Sequence, residues 1–165
     1  MFSTTLLNNE QVRYLVVAEG VLPFFALLLS VNFIDLRNAG STIKSRPPSA
    51  AFGFIWLLIA CLFFLTLLIA SMNFDTTSLI LYAVFSLVFF ICCVMWVLVY
   101  KQNKKVAATW ILMLTTLFAC GTMVSGITGI SSQDTYAPMT VGMLRVPAFI
   151  WCMFATVLNM LDAQI

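Results

Sequence analysis

The sequence predicts an all-α integral membrane protein, a compact bundle of five transmembrane helices, and three observations carry that expectation. Hydrophobic residues make up 62% of the 165 positions and charged residues only 8%, far too little polarity to cover the surface of a soluble domain. The apolar residues are gathered into long blocks rather than scattered, which is how membrane spans read. Alternating strand patterns are absent, which disfavours a β-barrel.

The blocks fall at 14–34, 51–72, 79–100, 106–130 and 141–161. The middle three carry no charge, and at a rise of about 1.5 Å per residue each exceeds the roughly 30 Å of hydrocarbon to be crossed. The first block contains Glu19 and Pro23. If it failed to span, four helices would remain. The last contains Arg145 and Pro147 in its first turns, where an arginine can snorkel to the interface and a proline does little harm. Connections are short, the longest being Asp35 to Ala50 and then Ser131 to Thr140, so a single domain over 1–165 is expected. The first block lacks a basic n-region and is too long to be a cleavable signal.

Arg37, Lys44, Arg46, Lys101, Lys104 and Lys105 fall on one side of a five-span threading, with Arg13 and Arg145 on the other. The positive-inside rule then predicts a cytosolic C-terminus and a non-cytosolic N-terminus. A mitochondrial outer membrane, another organelle membrane or a bacterial membrane would all suit. A net charge of +2, divided among loops, argues against nucleic-acid binding.

The chain has no histidine, which excludes His-ligated haem, His-containing metal sites and His-based triads. Its five cysteines (Cys61, Cys92, Cys93, Cys120 and Cys152) lie within apolar blocks at no metal-ligand spacing, and reduced thiols are expected. Glu19 is the one acid counted inside a span. An intramembrane carboxylate is a functional candidate, set against the plainer reading that it snorkels or is held neutral by a neighbouring helix. Gly121, Ser125 and Gly129 form a stripe of small residues that suits close helix packing, within the bundle or in a homodimer.

The end of the chain carries the most information. Pro147, Trp151, Phe154, Ala155, Thr156, Leu158 and Asn159 stand at the spacing of the last helix of the translocator protein family, the tryptophan-rich sensory proteins (TspO/MBR), which this segment resembles. A second patch, Arg46-Pro47-Pro48 followed by Phe52-Gly53-Phe54-Ile55-Trp56, is similar to the family's first loop and second helix. Ser45 replaces the loop tryptophan, Phe54 the proline before the helix tryptophan, and Ile59-Ala60 the usual Leu-Tyr. Only Phe89-Phe90 matches the third-helix pattern, and Met160 and Gln164 occupy the sterol-motif positions that need a tyrosine and a basic residue. The resemblance is to a divergent member.

The resemblance implies a five-helix protein that binds a hydrophobic ligand, tetrapyrrole (porphyrin) or lipid- or sterol-like, for sensing, binding or transport. The ligand-binding candidates are Trp56, Trp151, Phe154, Ala155 and Asn159, with Arg46, Pro47 and Pro48 in a loop that covers the pocket mouth. Trp151, Ala155 and Asn159 are spaced by four along one side of a helix. An aromatic plane, a small residue and a buried amide there could form a pocket wall for a flat apolar molecule, or simply pack. Arg46 and Lys44 could meet ligand carboxylates or serve only as topology determinants. No cofactor is required, although a porphyrin or haem-like ligand held without histidine fits. The partners expected are membrane lipids, the small ligand, and a homodimer or larger membrane complex. An enzyme is not expected, since the porphyrin breakdown linked to some members leans on tryptophans this chain mostly lacks. The alternative is a small structural subunit that packs within a larger membrane assembly. A channel is disfavoured because no span shows a polar lining.

Overall fold

The computed structural model describes residues 10, 11, 14, 49–131 and 135–163. Within them the chain forms α1 (Ser49–Asn73), α2 (Thr76–Lys101), α3 (Lys105–Thr128), α4 (Ala137–Met143) and α5 (Val146–Ala163). The described residues contain no named strand; one isolated bridge joins Phe74 to Ser131. Among the described residues four stretches are long and apolar enough to cross a membrane: Gly53–Asn73, Thr76–Lys101, Lys105–Thr128 and Ala137–Ala163, the last made of α4 and α5 together. The expected first span, 14–34, lies outside the described residues apart from Tyr14, as does the loop carrying Arg46, Pro47 and Pro48.

Helices suit these blocks because a backbone in hydrocarbon must satisfy its own hydrogen bonds. The hydroxyls inside the blocks follow the same logic. Thr66, Ser71, Ser86, Thr115 and Thr122 each donate to a carbonyl three or four residues back in their own helix, so a buried hydroxyl is satisfied without opening a polar path.

The turns are set by local chemistry. Asp75 accepts a hydrogen bond from the Ser78 backbone N–H at 2.8 Å and caps α2, satisfying one of the donors that a helix start leaves free. At the other end of α2, Asn103 N–H donates to Tyr100 O and Lys104 N–H to Val99 O. That pairing is a Schellman motif, and it places Asn103 at φ 59°, a left-handed conformation that asparagine tolerates better than most residues.

The last span is interrupted between Met143 and Val146. Pro147 has no N–H to offer the Met143 carbonyl, and its ring crowds that carbonyl. The backbone there tightens, with Arg145 N–H donating to Gly142 O and Ala148 N–H to Arg145 O. Just before the break, α4 lies almost against α3. A Cβ on Gly126 would stand 3.0 Å from the Gly142 Cα, so small residues permit this crossing. The stripe expected to mediate contacts also faces inward in part: Gly121 lies under Phe85 of α2, and Gly129 under Phe74.

α3 is the hub, packing on α2, α4 and α5, while α1 rests on α4 and α2. An aromatic cluster links the helices, with Phe63 of α1 stacked on Phe89 of α2 at 4.7 Å and edge-on to Phe90 at 4.8 Å. Such pairs contribute about 0.5–1.5 kcal/mol each beyond buried area. Large apolar residues such as Phe54, Leu81, Leu117 and Leu161 face outward, as they do where the surroundings are lipid. All five cysteines are free.

Two features fix the polarity of the bundle. Tyr100, Lys105 and Asp162 meet at one end, bringing together the end of α2, the start of α3 and the end of α5. At the opposite end Asp75 N–H donates to Ile130 O at 2.9 Å, tying the α1–α2 turn to the end of α3.

Candidate functional site

Trp56 is almost wholly buried one-third of the way along α1, and its indole stacks on Trp96 of α2 with centroids 6.3 Å apart and planes 28° apart. Trp96 in turn lies 6.1 Å from the ring of Tyr100. Ala155 and Cys152 of α5 belong to the same buried cluster, and Trp151 packs against it. The sequence alone left Trp96 unassigned. The signal was there in the spacing Phe89, Cys93, Trp96, Tyr100, a run of threes and fours that puts all four on one side of α2, and all four are buried.

On α5 the buried seam runs Ala148, Cys152, Ala155, Asn159, Asp162. Trp151 sits at its margin, half-buried, because eight residues at about 100° each carry it roughly 80° away from Asn159. Its ring lies 5.5 Å from Phe154, and Phe154 itself is turned to the outside, 43% exposed. The candidates therefore separate: Trp56, Ala155 and Asn159 inward, Trp151 at the edge, Phe154 outward. Arg46, Pro47 and Pro48 lie outside the described residues.

Asn159 is 2% exposed. Its Nδ2 donates to Ala155 O at 3.0 Å, and its Oδ1 is buried without a hydrogen-bond partner. One turn further, Asp162 accepts from the Tyr100 hydroxyl at 2.6 Å and lies 3.6 Å from Lys105 Nζ. This buried acid was passed over in the sequence, where it reads as a residue at the end of an apolar block. Its partners are 62 and 57 positions away, so no local pattern announces them.

The reading of Arg145 as a snorkelling residue is corrected by the structure. Its side chain is 0% exposed. The two turns of α4 precede it, which sets it about 12 Å along the span from Ala137 at 1.5 Å per residue, and the break at Pro147 turns it inward. The guanidinium Cζ lies over the Phe63 ring, 3.2 Å from its centroid, and 4.8 Å from that of Tyr82. Its Nε donates to the Tyr82 hydroxyl, which donates to Thr66 Oγ1 at 2.8 Å. Nη2 reaches Phe63 O at 3.4 Å, and Nη1 has no partner. Among the described residues there is no group of His, Cys, Asp and Glu that could hold a metal ion.

Long apolar helices, inward hydroxyls bonded to their own backbones and an aromatic interior define a multi-pass helical membrane protein. The TspO/MBR family profile matches residues 20–161, and the chain belongs to the TspO/MBR family. Comparison with curated proteins and with solved structures gave no match. Membership carries with it a role in sensing, binding or transport at a membrane.

Proposed function

We propose that this protein binds a hydrophobic ligand, a tetrapyrrole or a lipid- or sterol-like molecule, inside a five-helix bundle, and that it binds rather than transforms it. The observation that carries this reading is the buried Asn159 Oδ1 without a donor, at the buried seam of α5 beside Ala155. A buried acceptor left unmatched costs about 1–3 kcal/mol, and a pyrrole N–H or a hydroxyl from a ligand would satisfy it. Ligand pockets typically combine an apolar, aromatic wall with a few polar groups of this kind, and no tightly bound cofactor is needed.

The fifth helix would be the block 14–34, where the family match begins at residue 20, with Arg46, Pro47 and Pro48 in a stiff cover over the mouth. Lys101, Lys104 and Lys105 gather at the end where α5 finishes, which supports a cytosolic C-terminus and a non-cytosolic N-terminus. Membrane lipids and a second copy of the chain are the partners proposed.

The test is a titration of purified protein with a porphyrin panel, read by tryptophan fluorescence. Trp151→Leu should weaken binding at least a few-fold, since a lost aromatic contact is worth about 0.5–1.5 kcal/mol. Ala155→Leu should weaken it more by filling the space. Unchanged affinity in both folded variants would leave the second reading, a structural subunit of a larger membrane assembly. That reading is favoured by one observation: buried rings from α1 and α2 pack directly on one another, Trp56 on Trp96 and Phe63 on Phe89.

A further inference from the structure

The ligand-binding reading does not use Arg145, yet among the described residues this one is a fully buried charge with a donor left over. A guanidinium at bilayer depth is expensive unless an anion matches it. Here its neighbours are two aromatic faces, a hydroxyl and a distant carbonyl, all neutral. The carboxylates described within the helical bundle are engaged elsewhere, Asp75 on the α2 cap and Asp162 with Tyr100 and Lys105 at the far end. The Tyr82 hydroxyl is committed in both directions, accepting from Arg145 Nε and donating to Thr66. What remains is Nη1, fully buried and carrying donors with no acceptor.

The cage also fixes how the guanidinium is presented. Its Cζ sits 3.2 Å over the Phe63 ring, Tyr82 anchors Nε and Phe63 O takes Nη2, so the fork is held with Nη1 left over. A planar fork is suited to a carboxylate, which it can meet with parallel N–H···O bonds. The charge on that group would cancel the charge that the described residues leave unmatched.

We propose that Arg145 is an intramembrane anion site that takes the carboxylate of a hydrophobic acid, Nη1 donating to it from the Phe63–Tyr82 cage. The proposal rests on the ligand-binding reading and narrows it to acids. The carboxylate has two sources of the same chemistry, a free long-chain fatty acid or the propionate arm of a porphyrin.

The experiment uses the full chain in nonionic detergent. Hexadecanoic acid is compared with its methyl ester, and protoporphyrin IX with its dimethyl ester, each titrated against tryptophan fluorescence. The expected result is that at least one acid binds about tenfold or more tightly than its ester, which identifies the source. The preference should persist in Arg145→Lys and vanish in Arg145→Met. Equal binding of acid and ester overturns the anion site and leaves the ligand-binding reading standing, whereas no binding of any of the four overturns both. A preference that survives in Arg145→Met assigns it to another cation and overturns the proposal. So does a preference that appears only in Glu19→Gln, because Glu19 then already supplies the counter-charge. Should Arg145→Met fail to fold, hexadecanoic acid bearing a diazirine beside its carboxyl is photolysed on the unaltered protein. Adducts at Phe63, Tyr82 or Arg145 support the site, and adducts confined elsewhere overturn it.

Discussion

Among the described residues two charges are buried in the bundle, and they are treated in opposite ways. Asp162, at the end where α2, α3 and α5 meet, has a hydroxyl from Tyr100 at 2.6 Å and the ammonium of Lys105 at 3.6 Å. Arg145, deep in the last span, has aromatic faces, a tyrosine hydroxyl and a donor left over. The first arrangement is complete within the protein and ties three elements together. The second is incomplete within the described residues, and incompleteness in hydrocarbon is where function is sought first. Charge alone does not separate a structural latch from a binding group; the state of its partners does.

That contrast predicts a ranking of effects on the unliganded protein, measured by thermal or denaturant unfolding in detergent. Asp162→Ala should be the most damaging, about 3 kcal/mol, because it strands Lys105 and the Tyr100 hydroxyl without their acceptor; a loss below about 1 kcal/mol would break the comparison. Tyr100→Phe removes one hydrogen bond to a charged acceptor and should cost about 1.5–2 kcal/mol. Asn103→Val, which forces a β-branched residue into the left-handed position of the neighbouring turn, should cost about 1 kcal/mol, whereas Asn103→Gly should be neutral or better. Arg145→Met should fall within about 1 kcal/mol of zero, since an apolar chain of similar length replaces a charge unmatched among the described residues. Destabilisation as large as that of Asp162→Ala would place Arg145 among the latches.

The helices at 51–72, 79–100 and 106–130 could be read from composition because the bilayer imposes a length and an all-round apolarity that leave few alternatives. The family could be read from Pro147 to Asn159, where side chains recur at fixed helical spacing. What could not be read were contacts made across long separations. Tyr100 to Asp162 and Arg145 to Phe63 join residues whose own neighbourhoods give no hint of the partner. The depth of Arg145 is hidden for a local reason as well: the apolar block reads as starting at Val141, which puts Arg145 in its first turns, whereas the helical stretch begins at Ala137. The inward placement of Trp56, Ala155 and Asn159 was legible. The outward turn of Phe154 was not, because a spacing rule says which residues align but not which side meets the bundle.

The broken last span bears on how the chain is made. Arg145 is the ninth of the 27 residues from Ala137 to Ala163, and a single arginine near a helix centre raises the free energy of membrane insertion by up to about 3 kcal/mol. The groups that receive it, Phe63, Thr66 and Tyr82, all belong to earlier spans. Because synthesis runs from the N-terminus, the span that carries the arginine emerges after its receiving surface is already in the bilayer. The final helix thus meets side chains already in place to receive its arginine, and a ribosome that stalls before Ala137 leaves Tyr82 and Phe63 in the membrane without the guanidinium they hold.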